Sequence, residues 1–499
     1  MSDSQVEAGV SIVDLPGIVA GLFERAQRPL LAEPGKQAGL FVRYLRRKPA
    51  RGLAVIYAVD EIGRRAADHA HNPHRSVSLT LDEKALDGAR IRFHAGEARQ
   101  ASLEVQASGV LRAEALGLSV QAFPADDGLP ELAASFDLSR EGPLFTPLQD
   151  AARAQLDDDS WYIVGAGVEA VRYKPASRCV VRYRLTLSRD GEQDSQQLTL
   201  YGKVYADPQQ ARDVQALQLR LYNEQVARLG SVAVGQTLQV PMLPRPLGLL
   251  TDLGITFNEA VQPTDPQERA ITGTRAMQPH VVYGRGGEVS AITVPTQELR
   301  LTAVALARLH TSAVRANEAS PRTGAKEAKR ARERAALIAG RNAAQAEETQ
   351  RLAKELAGRL EALQPDIYRP AHGGFKSSQL LFHSGKVYVV DFDGFCLADA
   401  ALDVGYFLAY LRPSGLWYAR PGMREWFDAA AQEFVTTYRQ AMLDLGASQA
   451  AIDGIIERSR LYEAALIFKI ATRRVNRLNS PRTKELSAML QEIATCLAG

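Results

Sequence analysis

The sequence predicts an α+β protein, rich in strands through its first half and in helices through its second. Two observations carry that reading. Runs of β-branched and aromatic residues bounded by turns recur from about residue 38 to 135 and again from about 160 to 260. From Thr296 onward the apolar residues fall at helical spacing instead, and they keep it from Trp426 to the end. Sheet first and helices afterwards is the α+β pattern. The 499 residues exceed one ordinary core, so more than one domain is expected.

In chain order, Leu53 to Val59, Ser76 to Leu81 and Ala89 to Phe93 read as strands of an N-terminal domain. Further on, Val171 to Leu187 is a strand run broken by Lys174-Pro175. Gln197 to Tyr205 follows it across Ser188-Arg189-Asp190-Gly191, whose Asp-Gly favours a hairpin turn. Glu298 to His310 reads as a helix. Lys326 to Leu363 reads as one long amphipathic helix rich in Ala, Glu, Arg and Lys. Its basic residues (Lys326, Lys329, Arg330, Arg332, Arg334) read as a solvated face rather than a polyanion contact.

Composition narrows the function classes. Hydrophobic residues at 46% and charged residues at 23% are the balance of a globular protein. The formal charge of +3, from 60 basic and 57 acidic residues with both signs interspersed, gives no reason to expect nucleic acid or membrane binding. Cys179, Cys396 and Cys496 lie far apart, which argues against a disulfide framework or a thiolate metal site and suits a reducing cytoplasm. The N-terminus lacks a basic stretch before a long apolar core, so no secretory signal is expected. No apolar run approaches the roughly 20 residues that span a bilayer.

An internal repeat is also suggested. Lys48-Pro49-Ala50-Arg51 parallels Lys174-Pro175-Ala176-Ser177. Arg92-Phe93-His94-Ala95 can be laid on Lys203-Val204-Tyr205-Ala206, and Phe123-Pro124 with Gly128-Leu129 on Leu243-Pro244 with Gly248-Leu249. Three matches in one order suggest a duplicated sheet domain whose first copy has degenerated.

The chemistry concentrates in Ala371-His372-Gly373-Gly374-Phe375-Lys376-Ser377-Ser378-Gln379, followed by Leu380 to Phe382, Gly385 and Val387 to Asp391-Phe392-Asp393-Gly394. Two short apolar strands joined near His383 to Gly385 would bring the Asp391 carboxylate close to the Gln379 amide. A carboxylate and an amide oxygen form a hard oxygen site of the kind that takes Mg2+ with nucleotide phosphates, which is what phosphoryl transfer requires.

This segment resembles the catalytic and metal loops of the aminoglycoside phosphotransferase family, H-G-D-x-x-x-x-N, two strands, then D-F or D-W. The likeness continues through Leu397-Ala398-Asp399-Ala400-Ala401-Leu402-Asp403-Val404-Gly405, similar to G-D-P-x-x-D-L-A. It covers roughly residues 160 to 430 and implies a two-lobed kinase-like α+β fold, with a small lobe over 150–262 and a helical large lobe over 263–499; residues 1–140 fall outside it and read as an extra N-terminal sheet-containing domain. It implies ATP and Mg2+ as cofactors, with Asp391 as a metal ligand and Gln379 in place of the usual asparagine ligand. Asp403 would brace the loop and His372 would orient it. Lys203 in Tyr201-Gly202-Lys203-Val204-Tyr205 looks like the ATP-phosphate lysine, with Glu224 or Asp213 as its acidic partner. Glu259-Ala260-Val261 looks like the hinge backbone that meets adenine. The turn that would cover the phosphates is not a glycine-rich loop, so Arg178 or the backbone would meet them instead.

One position departs from the pattern. Gly374 stands where the family has the aspartate that accepts the substrate proton. Loss of a general base costs about 10²- to 10⁴-fold in rate. Three readings stay open: Asp393 substitutes as base; the chain is a pseudokinase that binds nucleotide and scaffolds; or the retained lysine and metal site serve another transfer, such as moving AMP. Lys376 resembles the lysine that kinases set beside the γ-phosphate. The resemblance implies a small-molecule or sugar hydroxyl as acceptor, and leaves the N-terminal domain to pack on the kinase-like lobes or to bind a protein partner.

Overall fold

The computed structural model describes residues 15–26, 38–48, 52–61, 73–81, 102–106, 108–114, 117–189, 195–230, 242–261, 270–315, 321–365, 367–476 and 482–499. The chain forms two compact units, Met1–Gln215 with Leu247–Glu259 and Arg477–Ser480, and Ala216–Pro246 with Ala260–Asn476 and Pro481–Gly499.

The first unit holds two antiparallel sheets. Helix α1 (Leu15–Arg25) lays Ile18, Val19, Leu22 and Phe23, one apolar stripe at helical spacing, on the first sheet. That sheet comprises β1 (Ala38–Lys48), β2 (Gly52–Glu61), β3 (Ser76–Leu81), β4 (Glu104–Val105), β5 (Leu111–Ala113) and β6 (Leu118–Ala122), in the order β1-β2-β3-β6-β5-β4. Val55, Tyr57 and Val59 alternate toward α1 with Val77 and Leu79, as period-two patterning dictates. Helix α2 (Phe145–Leu156) leads into the second sheet. Its strands are β7 (Tyr162–Lys174), β8 (Arg178–Ser188) and β9 (Gln196–Tyr205), and then, after helix α3 (Pro208–Gly230), β10 (Pro246–Leu250) and β11 (Ile255–Glu259). Their order is β10-β11-β9-β8-β7.

Both sheets therefore run first strand, second, third, then last, with the strand before the last outside it. The first hairpin of each also turns at matching places: Lys48 pairs with Gly52 and Lys174 with Arg178. The described third strand of the first sheet is Ser76–Leu81; the expected strand Ala89–Phe93, with Arg92, lies outside the described residues, as do Asp190 and Gly191 of the second expected turn.

Asp126 joins the two sheets within this unit. Its buried carboxylate accepts from the Tyr173 hydroxyl at 2.6 Å, and from the N–H groups of Ala176 and Gly128, each at 2.8 Å. The chain approaches itself so closely here that a Cβ on Gly128 would lie 2.4 Å from the Ala176 Cα.

The second unit is mostly helical. It contains the short strands β12 (Ile271–Thr272), β13 (His280–Tyr283) and β14 (Val289–Thr293), then helices α4 (Thr296–His310), α5 (Gly324–Ala339) and α6 (Ala346–Glu361). Strands β15 (Arg369–Ala371), β16 (Leu380–His383), β17 (Lys386–Val389) and β18 (Cys396–Ala398) follow. Helices α7 (Ala401–Leu411), α8 (Met423–Asp444), α9 (Gln449–Val475) and α10 (Leu486–Ala498) complete it. The expected single helix over Lys326 to Leu363 is corrected to two. The chain leaves α5 at Gly340 and re-enters at Gln345, and α5 and α6 bury Ala331, Ala335 and Ile338 in one core with Leu352, Leu356 and Leu360. The apolar stripe continues across the break, so periodicity alone conceals it.

Candidate functional site

Strands β16 and β17 form the expected hairpin, with Leu380 opposite Val389 and the turn at Ser384 and Gly385, both at positive φ. Gln379 precedes one strand and Asp391 follows the other, and the Gln379 Nε2 donates to Asp391 Oδ2 at 3.3 Å. The Val390 N–H donates to the Gln379 carbonyl at 2.9 Å, which fixes the two ends against each other. Gln379 is buried and its Oε1 has no hydrogen-bond partner among the described residues. Turning the amide about its last bond sets that oxygen beside the carboxylate, which gives the hard oxygen pair that Mg2+ takes together with phosphate oxygens. These residues fit the ion.

Asp391 itself has φ +72°. Asp is among the few non-glycine residues that tolerate this region, and such conformations concentrate at functional sites. Asp393 lies half-buried two residues on, in the turn Phe392–Gly394.

The loop before β16 is held from behind. Asp403, at the start of α7, accepts from the His372 N–H at 2.6 Å and the Gly373 N–H at 3.0 Å. His310 Nε2 stands 3.6 Å from Asp403 Oδ2, an ion-pair distance rather than a hydrogen bond, and its Nδ1 meets the Tyr438 hydroxyl at 2.7 Å. Burial alone would push the Asp403 carboxyl up, but His310, His372 and the loop N–H outweigh it and hold it below its ordinary value. The His372 ring is buried between Phe375 and Phe392 and donates from Nε2 to the Val390 carbonyl at 3.1 Å. Burial holds that imidazole below its ordinary value. His372 thereby ties the loop to the strand end that carries Asp391.

Asp403→Asn is expected to cost about 2–3 kcal/mol near neutral pH, since the two loop N–H groups donate to different carboxylate oxygens and an amide keeps only one of them, setting its NH2 against the other donor. With the wild-type carboxyl depressed in the folded chain, its contribution is complete above the ordinary carboxylate range and is lost as pH falls toward the depressed value. Denaturant titrations at pH 7 and in steps below about pH 4 should show the gap between wild type and variant closing on acidification. A gap independent of pH would contradict the assignment.

Gly373 has φ +73°, and a Cβ there would fall 2.0 Å from the Gly394 carbonyl oxygen, so only glycine fits. Gly374 differs. Its backbone is outside the left-handed region, and an added Cβ would meet nothing closer than the Gln379 Nε2, 3.9 Å away.

The first unit places Lys203 on β9, opposite Val180 on β8 and Thr256 on β11, with its Nζ 5.1 Å from the Tyr205 ring centroid. Arg178 pairs with Tyr205, so Arg178 and Lys203 share the sheet face opposite the core face of Cys179, Val181 and Tyr183. Glu259 ends β11 opposite Leu200, and Val261 follows it, half-buried. Glu224 is engaged within the second unit, accepting from Arg228, the Ser312 hydroxyl and the Ala313 N–H. Asp213 is exposed on α3 and accepts from Gln209 at 2.9 Å.

Residues 250–443, which contain the whole loop and hairpin, match the model of the phosphotransferase enzyme family. Beyond its start in the second sheet, the matched stretch lies in the helix-rich part of an α+β chain, preceded by the two N-terminal antiparallel sheets. Among solved structures, the chain is similar to a glucosamine kinase in complex with glucosamine, ADP and inorganic phosphate, at 18% identity and TM-score 0.39, over 96% of this chain and 98% of that one. A choline/ethanolamine kinase family protein from Mesorhizobium loti matches at 12% identity and TM-score 0.37, over 67% and 88%. A choline kinase from Streptococcus pneumoniae matches at 14% and 0.36, over 71% and 98%. No curated protein matches the chain. Among the described residues, no helix is long and apolar enough to cross a membrane.

Sequence reading missed Arg322. It donates from Nη1 to the Gly373 carbonyl at 2.6 Å, from Nε to Glu327 at 2.7 Å and from Nη2 to the Tyr406 hydroxyl at 3.2 Å, so it braces the same glycine whose N–H Asp403 holds. It missed His310 and Tyr438 behind Asp403. It also missed Arg458, which grips Asp399 through two hydrogen bonds of 2.6 and 3.1 Å. None of the four belongs to a local motif; Arg322 reaches Gly373, His310 reaches Asp403, Tyr438 reaches His310 and Arg458 reaches Asp399, each across more than 50 residues of sequence.

Proposed function

We propose that this protein binds ATP with Mg2+ and transfers the γ-phosphoryl group to a hydroxyl of a small molecule, such as a sugar. The observation that carries the reading is the buried Gln379, its Oε1 without a partner, set 3.3 Å from an Asp391 held at positive φ. Gln379 and Asp391 would hold the ion, which supplies neutralisation of phosphate charge. Lys203 and Arg178 are assigned to the phosphates and the Glu259 to Val261 backbone to adenine; Glu224 is kept as candidate partner of Lys203. Lys376 is assigned to the γ-phosphate. In the transfer, the acceptor oxygen bonds to Pγ as the bond to the β-phosphate bridging oxygen breaks and ADP leaves with that electron pair. The hydroxyl proton passes to Asp393 or water, since position 374 offers no carboxylate.

A second reading is favoured by Gly374 itself: a nucleotide-binding regulatory module, a pseudokinase, that transfers little. Calorimetric titration with ATP, in Mg2+ and then in excess chelator, tests what the readings share. Binding that needs the metal supports both, and metal-independent or absent binding overturns both. Acceptor-dependent release of ADP then separates them. The N-terminal domain is read as a degenerate duplicate of the small lobe, supported by the common strand order and the matching Lys-Pro-Ala hairpins. On this reading it packs or binds a protein partner rather than nucleotide.

A further inference from the structure

Beside the loop, on the side of α7 and α9, the second unit gathers cations around two tyrosines. Lys469 donates to the Tyr406 hydroxyl at 2.8 Å, which Arg322 also reaches. Arg473 donates to the Tyr410 hydroxyl at 3.0 Å, and Lys376, from the loop itself, sets its Nζ 5.4 Å from the Tyr410 ring centroid. The two rings lie 6.5 Å apart, so these cations belong to one patch. Arg334 stands near Lys469 and donates to the Ala465 carbonyl at 3.1 Å.

The hydrogen-bond partners of Lys469, Arg473 and Arg334 are tyrosine hydroxyls and a backbone carbonyl. Among the described residues, no carboxylate pairs with Arg334, Lys469 or Arg473, and Glu327, the acid on this side, is taken by Arg322 and Arg330. Like charges and burial act on the patch as they should. Burial first, then Arg473 and Arg334, hold the Lys469 ammonium below its ordinary value. Burial would raise Tyr406, but Lys469 and Arg322 pull it below its ordinary value instead. Arg473 is exposed, and Lys469, Arg334 and Lys376 are half-buried, so a solute can reach them. Cations kept together without carboxylates are what binding an anion requires.

We propose that the acceptor carries an oxyanion, a carboxylate or a phosphate, that seats on Lys469, Arg473 and Arg334 while its hydroxyl lies at the Gly373–Lys376 loop. The inference rests on the phosphotransferase reading and names its substrate class. An acceptor bearing several ammonium groups, as an aminoglycoside does, is repelled by the same patch.

The test uses one hexose skeleton in four charge states: glucose, glucosamine, glucuronate and glucose 6-phosphate. Each is titrated calorimetrically into the full-length protein saturated with Mg2+ and ADP, and each is assayed for ADP release from ATP. The acidic probes are expected to bind, and Arg473→Gln or Lys469→Gln to weaken them about 10-fold or more, the worth of one charge-assisted hydrogen bond, with ATP affinity unmoved. Glucuronate and glucose 6-phosphate, compared, show which anion is meant. Binding without turnover, lost in Arg473→Gln, supports the anion site while counting against transfer. Equal or better binding of glucose or glucosamine, binding by none of the four, or an Arg473→Gln protein that binds the acids unchanged overturns it.

Discussion

Asp391→Ala is expected to lose Mg2+-dependent ATP affinity by about 100-fold or more, which is about 2.7 kcal/mol. The carboxylate is the charged member of the oxygen pair, and no group of three or more His, Cys, Asp or Glu among the described residues offers the ion another home. Alanine at φ +72° is strained in a way that aspartate and asparagine are not, so Asp391→Asn is the cleaner variant. It should lose the metal-dependent part of binding while unfolding near the wild-type midpoint. The same loss is expected of Lys203→Ala through the phosphates. If calorimetry finds ATP binding unchanged in Asp391→Asn and Lys203→Ala alike, the nucleotide and metal site is wrongly placed.

The pairing of Gln379 with Asp391 was legible because only 12 residues separate them and the intervening pattern is local: two apolar strands and a turn with glycine at positive φ. The two sheets were legible for the same reason, since alternation within a strand needs no distant partner. What holds the loop was not. The Gly373 carbonyl is braced by Arg322 from 51 residues away, and the carboxylate that takes its N–H is itself backed by His310 and Tyr438 on two further helices. Such contacts exist only after the core has formed and leave no periodicity behind. The break between α5 and α6 shows the opposite failure. A strong periodic signal there ran across Gly340, where nothing but a glycine and Asn342 marks the stop. Glu224 is held by contacts of the same long-range kind: its oxygens accept from Ser312 and Ala313, 88 and 89 residues away, as well as from Arg228.

Gly374→Asp is expected to raise phosphoryl transfer to a hydroxyl acceptor by about 10²-fold or more, the ordinary worth of a positioned base. A glycine at this position could have been required by its backbone, and Gly373 is so required, with φ +73° and a carbonyl 2.0 Å from where its Cβ would lie. Gly374 is not. Its backbone lies outside the left-handed region and its added Cβ meets only the Gln379 side-chain amide, at 3.9 Å. Replacing it should therefore leave the fold intact, and removing a glycine's freedom in the unfolded chain would stabilise by about 0.4–1 kcal/mol. Gly374→Ala shares that rigidity but lacks the base, so it separates the two effects: its melting temperature should follow the Asp variant and its rate should follow wild type. The negative charge of Asp391 nearby disfavours ionisation of a second carboxylate and so moves it toward the pKa that suits a base at neutral pH. Should Gly374→Asp fold as well as wild type, bind Mg2+ and ATP, and still release no ADP with any hydroxyl acceptor, neutral or anionic, then the absent base is not what silences the site. The protein would then act by binding nucleotide rather than by spending it.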